Sequence, residues 1–184
     1  MATIITITGD LGSGKSTVSG LLQEHLKYDY IYTGKIMREL ADKYNMTTTE
    51  LNKYAETHPE IDEEIDSTFK SLNNSSNLIV DSRLAWFFIP QSFKVFLKTD
   101  LIVSAHRISN DNRRINERYS SKEEAIRSIV ERKESENKRY MDLYGVDCTD
   151  ITNFDLMIDT SFITPQKTVD LVLAGYKEWL TSNE

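Results

Sequence analysis

The sequence predicts an α/β fold of three layers (α/β/α), in which helices cover both faces of a five-stranded parallel sheet. Two observations support this prediction. Apolar, β-branched runs alternate along the chain with longer stretches of helical periodicity, which is typical of parallel sheets. The first of these runs leads directly into a glycine-rich loop and then into a helical stretch. With 184 residues, the chain is expected to form a single domain, residues 1–184.

The glycine-rich loop, residues 9–16, reads Gly-Asp-Leu-Gly-Ser-Gly-Lys-Ser and matches the whole phosphate-binding pattern G-x-x-x-x-G-K-[ST]. A strand at 3–8 precedes it and a helix at about 14–27 follows it, which is the context that the pattern needs. Backbone amides and the helix N-terminus would bind phosphate oxygens, and Lys15 would add a charge beside them. This predicts a P-loop NTPase fold. The predicted nucleotide-binding residues are Gly9, Asp10, Leu11, Gly12, Ser13, Gly14, Lys15, Ser16 and Thr17.

A short strand at 30–33 follows the first helix, and Gly34 is expected to make a tight turn after it. Three helical stretches come next: one over 36–44, one from the capping box at 47–50, and one from Pro59. The acidic residues of the third stretch are expected to face mostly outward. They are Glu60, Asp62, Glu63, Glu64 and Asp66.

The second half of the chain supplies the other strands and helices. Strands are predicted at 77–81, 93–98 and 154–159, and helices at 121–143 and 165–180. Right-handed crossovers between parallel strands then bring the carboxyl ends of the strands to one edge of the sheet, where ligands gather.

Three charged residues are predicted at that edge. Asp81 ends an apolar strand, so its carboxylate is predicted to hold Mg²⁺ together with the hydroxyl of Ser16. Arg83 follows directly, and Arg38 comes one helical turn after Gly34. We expect both arginines to face the cleft and to bind an acceptor phosphate, the alternative for each being a surface salt bridge.

Arginines are concentrated in one segment of an acidic chain. The formal net charge is −7, which argues against a nucleic-acid polymer as a partner. A segment rich in arginine is predicted to close over the site and to stabilise charge on a transferring phosphoryl group. The alternative is a solvated helix with salt bridges. Seven of the nine arginines fall between Ser104 and Tyr140, namely Arg107, Arg113, Arg114, Arg118, Arg127, Arg132 and Arg139.

The order of these blocks resembles the nucleoside monophosphate kinases, and among them the short cytidylate kinase-like proteins. The resemblance extends over nearly the whole chain. The blocks that carry it are 9–16, 33–39, 80–85, 131–140, 144–147 and 154–161.

The resemblance implies phosphate transfer from ATP, with Mg²⁺, to a nucleoside monophosphate, with CMP or dCMP as the expected acceptor. It implies acceptor-binding helices at about 34–72 and a lid at about 104–140. Arg107 would lie against the adenine of ATP, and Arg132 and Arg139 would act with Lys15 as catalytic residues. The acceptor-binding residues would be Arg38, Arg83, Thr33 and Gly34.

The chain departs from the family at Asp10, Leu11 and Lys35, and it lacks the long insert with which bacterial-type cytidylate kinases bind the base. The acceptor base is therefore left open.

Three other functions fit the sequence less well. A kinase with a hydroxyl acceptor, on a nucleoside or a small metabolite, would need a carboxylate base, for which Asp10 and Asp81 are candidates. A GTP-dependent switch is disfavoured because Leu97 stands where the guanine signature has a polar residue. A non-catalytic nucleotide-binding regulator is disfavoured because Lys15, Ser16 and Asp81 are all intact.

The remaining expectations concern cellular location, disulfides and partners. The N-terminus has no signal-like segment and no apolar run has the length of a membrane span, so a cytoplasmic protein without a membrane partner is expected. Cys148 is the only cysteine, which excludes an intrachain disulfide. The expected partners are small-molecule nucleotides, and the expected state is a monomer or a homodimer.

Overall fold

The computed structural model describes residues 3–55, 57–111 and 119–183, with the backbone alone at 48, 49, 52 and 53. Arg113, Arg114 and Arg118 of the predicted lid lie outside the described residues. The strands form one parallel sheet in the order β2-β3-β1-β4-β5, which confirms the predicted fold class. They are β1 (Ile4–Gly9), β2 (Asp29–Tyr32), β3 (Leu78–Asp81), β4 (Phe93–Lys98) and β5 (Leu156–Asp159).

Helices cover both faces of this sheet. The box predicted at the start of α3 is present, since the Thr47 amide donates to Glu50 Oε2 at 2.7 Å and the Glu50 amide donates to Thr47 Oγ1 at 3.2 Å. Of the described helices, none is both long enough and apolar enough to cross a membrane. The helices are α1 (Lys15–Leu26), α2 (Thr33–Lys43), α3 (Thr48–Ala55), α4 (Glu60–Ser71), α5 (Ala85–Phe88), α6 (Leu101–Ser109), α7 (Lys122–Tyr144) and α8 (Pro165–Ser182).

The sheet separates two apolar cores, because successive side chains of β1 point to opposite faces. Ile4 packs with Leu51 and Phe69 beneath the α2–α5 helices. Ile5 packs with Leu22 and other residues of α1 and α8 on the opposite face. Burial of each such side chain contributes about 1.5–3 kcal/mol, and together these contacts fix the sheet against its helices.

Two local predictions are wrong. Gly34 makes no tight turn: it lies in the first turn of α2, which begins at Thr33, and its φ is not positive. Asp66 does not face outward, since it is only 9 % exposed and its Oδ2 accepts a 2.7 Å hydrogen bond from the Tyr144 hydroxyl. The helical repeat places Asp66 on the same face of α4 as Phe69, and Tyr144 of α7 supplies the partner that makes its burial tolerable. Burial raises the pKa of the Asp66 carboxyl.

The carboxyl ends of the strands meet at one edge, as expected for parallel strands. Asp81 at the end of β3 lies beside Ile7 of β1 and beside Tyr32 of β2. Gly9, the last residue of β1, lies beside Leu97 of β4. The glycine-rich loop therefore leaves the middle of the sheet with Asp81 on one side of it and β4 on the other.

Candidate active site

The loop between β1 and α1 has the backbone shape that its glycines allow. Gly14, directly before α1, has a φ of +85°, in the left-handed region that glycine adopts at little cost. Gly9 approaches β4 so closely that a Cβ atom there would overlap the backbone of Leu97. The Asp10 amide donates to the Leu97 carbonyl oxygen at 2.9 Å, so the start of the loop is held on the sheet.

Lys15 lies across the opening of this loop. Its ammonium group donates to the carbonyl oxygens of Gly9 at 3.0 Å and of Asp10 at 2.8 Å. Burial, together with the nearby charge of Arg83, lowers the pKa of Lys15 to about 7, against the opposing effect of Asp81. The amine thus lies beside two backbone oxygen acceptors. An anion that binds next to it would raise its pKa and favour its charged form.

Asp81 and Ser16, the two predicted metal ligands, lie within hydrogen-bonding distance of each other. The Ser16 hydroxyl donates to Asp81 Oδ2 at 3.1 Å, and the Tyr30 hydroxyl donates to the same oxygen at 3.3 Å. Hydroxyl and carboxylate oxygens are ligands that Mg²⁺ accepts, and Mg²⁺ needs only one or two protein ligands beside substrate phosphates. Within residues 3–55, 57–111 and 119–183, no cluster of three or more His, Cys, Asp or Glu side chains could hold a metal ion.

Arg83 connects the loop to the long helix α7. Its Nη1 donates to the Gly9 carbonyl oxygen at 2.6 Å, and its Nε pairs with Glu136 Oε2 at 3.0 Å. The other oxygen of Glu136 accepts from Arg132 Nε at 2.9 Å. One carboxylate thereby joins Arg83, which contacts the loop, to Arg132.

Arg38 lies against Tyr32, the β2 residue that pairs with Asp81. Its Nη2 donates to the Tyr32 hydroxyl, and its guanidinium carbon lies 5.2 Å from the centre of the Tyr32 ring. A Cβ atom on Gly34 would lie 3.7 Å from Arg38 Nη1 and 3.4 Å from the Tyr32 ring. The glycine therefore leaves room beside this guanidinium at the start of α2. Lys35, one of the unusual residues, makes an exposed contact at 4.0 Å with Glu39.

Arg139 has a partner outside this cluster. Its guanidinium pairs with the carboxylate of Asp62 on α4. Arg132 and Arg139 are seven residues apart on α7, but the structure places Arg132 beside Glu136 and Arg139 beside the helices that were predicted to bind the acceptor.

Asp10 and Leu11, the two unusual loop residues, attach the loop to its surroundings. Asp10 Oδ2 accepts from the Thr99 amide at 3.0 Å, and its Oδ1 pairs with Lys133 Nζ of α7 at 2.8 Å. Leu11 is buried in an apolar cluster with Ala105 of α6 and other residues of α6 and α7. Lys133 was missed by sequence reasoning, because no local pattern links two residues that are 123 positions apart.

Arg107 borders a cavity of about 560 Å³ that extends from the loop toward α8. Its guanidinium donates to the carbonyl oxygens of Gly12 at 3.2 Å and Thr160 at 2.7 Å. Thr17 also lines the cavity, as do His106 and Asn110, which sequence reasoning did not assign to the site. This volume and its position beside the loop suit a nucleotide whose phosphates lie on the loop.

Comparison with known proteins identifies the family. A sequence profile of the cytidylate kinase-like family matches residues 4–162. The chain belongs to the cytidylate kinase-like family. A cytidylate kinase of Pyrococcus furiosus is 36% identical over 173 residues, which cover 94% of this chain and 87% of that protein. The predicted family is therefore confirmed, and with it the enzyme class, a nucleoside monophosphate kinase.

Two further similarities are of a different kind. An S-adenosylmethionine-dependent nucleotide dehydratase of Lacinutrix mariniflava is 36% identical over 180 residues, covering 97% of this chain but only 37% of that protein. This kinase-like chain thus spans little more than a third of that relative. The shikimate kinase structure from Bacteroides thetaiotaomicron superposes with a TM-score of 0.69 at 15% identity, covering 97% of this chain and 98% of that chain. That similarity supports the fold alone.

Proposed function

We propose that this kinase transfers a phosphoryl group from ATP, with Mg²⁺, to CMP or dCMP. The observation that carries the proposal is the cluster of cations around one loop. Lys15 lies on the loop, Arg83 donates to its first carbonyl group, and Arg132 joins Arg83 through Glu136. Such a cluster suits a transition state in which negative charge spreads over the transferring group.

The two substrates would bind on opposite sides of Asp81. On one side, the loop and the cavity bordered by Arg107 would hold ATP. On the other side, Arg38 and Arg83 would hold the phosphate of the acceptor, with Thr33 and Gly34 beside them at the start of α2. Two arginines suit an anionic acceptor, because a neutral hydroxyl would not need both charges.

Each residue has a role that follows from its place. Lys15 would bind the phosphates and, with Arg132, stabilise the charge that develops on the transferring group. Ser16 and Asp81 would hold Mg²⁺, which when bound neutralises charge on the donor phosphates. The acceptor phosphate is already an anion, so the site needs no general base. Arg139 would approach the transferring phosphate only after leaving Asp62.

A hydroxyl acceptor has less support. Both candidate bases are already occupied as hydrogen-bond acceptors: Asp10 by Thr99 and Lys133, and Asp81 by Ser16 and Tyr30. The relatives also favour CMP, since the Pyrococcus furiosus protein is a cytidylate kinase and the match covers 87% of its length.

The experiment is a coupled assay with ATP and Mg²⁺ against CMP, dCMP, UMP, AMP and GMP, with cytidine and shikimate as hydroxyl acceptors. We expect CMP or dCMP to give the highest kcat/KM. Lys15→Ala should lower it at least a hundredfold, since it removes several kcal/mol of charge stabilisation. Lys177→Ala, an exposed lysine on α8, is the matched control and should leave it unchanged. Transfer to a hydroxyl acceptor alone would refute the proposal.

A further inference from the structure

Two tyrosines of β2 form a stack at the edge of the sheet beside Asp81. Tyr30 and Tyr32 are two residues apart, so their side chains project from the same face of the strand. Their ring centres are 5.3 Å apart with an angle of 29° between the planes, and both residues are half-buried. Tyr32 pairs with Asp81 in the register of the sheet. The stack therefore lies where the donor and acceptor halves of the site meet.

The hydroxyl groups of the two rings contact different halves. The Tyr30 hydroxyl donates to Asp81 Oδ2 at 3.3 Å, the oxygen to which Ser16 also donates. The Tyr32 hydroxyl accepts from Arg38, whose guanidinium also lies over the Tyr32 ring.

We propose that the Tyr30–Tyr32 stack is a positioning element shared by both halves of the site: Tyr30 orients the carboxylate of Asp81, and Tyr32 orients the guanidinium of Arg38. The inference rests on the proposed function, because that function assigns Asp81 to the metal and Arg38 to the acceptor phosphate. Neither tyrosine needs to touch a substrate in order to act in this way.

The physical reasons differ for the two ends of the stack. Groups that hydrogen-bond a metal-ligating carboxylate fix its orientation, and their loss commonly weakens metal binding by about tenfold or more. Arg38 is an exposed side chain with several rotatable bonds, so holding it over a ring reduces the entropy lost when it binds an anion. Stacking of the rings on each other holds both hydroxyl groups in place.

Phenylalanine substitutions separate the two roles, since each keeps its ring and removes one hydroxyl. Titration calorimetry should measure ATP binding with and without Mg²⁺, and CMP binding separately. We expect Tyr30→Phe to reduce the gain in ATP affinity that Mg²⁺ provides by about tenfold, with CMP affinity unchanged. We expect Tyr32→Phe to weaken CMP binding by about three- to tenfold, with the effect of Mg²⁺ unchanged.

Tyr28→Phe is the matched control. The Tyr28 hydroxyl lies 3.3 Å from the Tyr176 hydroxyl of α8 and contacts neither Asp81 nor Arg38, so both affinities should be unchanged. Tyr32→Leu removes the stack itself and should alter both affinities. Thermal melting of each variant within a few degrees of the parent protein would show that the fold is intact.

The proposal is overturned if the two phenylalanine variants alter the same affinity, or if they change thermal stability alone. If the parent protein bound Mg²⁺–ATP and CMP but transferred no phosphate, the proposed function would fail while both roles of the stack could still be measured. If it bound no monophosphate at all, the assigned role of Tyr32 would be wrong.

Discussion

Lys15 should make nucleotide binding depend steeply on pH. Its pKa in the structure is about 7, against an ordinary value of 10.5, because the amine is buried beside Arg83. Bound phosphates would place negative charge against the amine and restore its proton. Above pH 7 the protein must therefore take up a proton when ATP binds, whereas below about pH 6 the amine is already charged.

The size of the effect follows from that pKa. If bound ATP keeps Lys15 protonated up to pH 9, the affinity for ATP falls in proportion to the fraction of Lys15 that is protonated in the nucleotide-free protein. With a pKa of about 7, that fraction falls about fiftyfold between pH 7 and pH 9, which corresponds to about 2.3 kcal/mol. Fold stability changes in the opposite direction: the unfolded chain binds this proton more tightly, so the cost of burying Lys15 is relieved and the free energy of unfolding increases as pH rises from 7 toward 10.5.

Titration calorimetry at pH 6, 7, 8 and 9 tests this prediction. At pH 8, experiments in buffers with different ionisation enthalpies should show uptake of nearly one proton per ATP bound. Lys15→Ala controls for titration of the nucleotide itself, so the difference between the two proteins isolates the lysine. The same affinity difference at pH 7 and pH 9 would show that Lys15 is fully charged in the protein alone, which would refute the reasoning from burial.

Three further predictions concern residues around the loop. Arg38→Ala should raise the KM for the monophosphate about tenfold or more and leave the KM for ATP within about twofold; steady-state kinetics with each substrate varied would show equal effects if its acceptor role were wrong. Arg132→Ala should lower kcat by up to about 10³-fold, as loss of an arginine finger does, and unchanged turnover would show that Arg132 takes no part in phosphoryl transfer. Asp10→Ala should lower the free energy of unfolding by about 1–3 kcal/mol in urea titrations, because it leaves the Thr99 amide without its acceptor. Asp10→Asn keeps an oxygen there, so its cost should be smaller, and equal losses would argue against the hydrogen bond.

The strands and the loop were predictable because their signals are local. Gly9 to Ser16 is a continuous pattern, and the apolar run ending at Asp81 is another. Parallel pairing then required both to meet at one edge, and the register confirms this, with Ile7 beside Asp81. Errors occurred where a long-range contact overrides a local pattern. The sequence predicts Asp66 to be one of several exposed acidic residues. In the structure it is buried, and the hydrogen bond from the Tyr144 hydroxyl compensates for that burial.

The same limit applies to the site. Sequence spacing indicated that Arg132 and Arg139 belong to one helix, but it could not indicate their partners, Glu136 and Asp62. Lys133 was overlooked for the same reason, since its partner Asp10 lies at the other end of the chain. Contacts between an element and a distant loop depend on the assembled fold, and a single sequence contains no local sign of them.

These partners attach α7 to the loop and would allow it to serve both halves of the proposed site. Lys133 pairs with Asp10 of the loop, and Glu136 joins Arg83 to Arg132. The short stretch of α7 from Arg132 to Glu136 thus takes part in ion pairs that keep cations beside the loop. Incoming phosphates can take over these cations, since a phosphate offers them a larger negative charge than a carboxylate does. The carboxylates would then keep the cations in place until substrates arrive, which limits the reorganisation needed to reach the transition state.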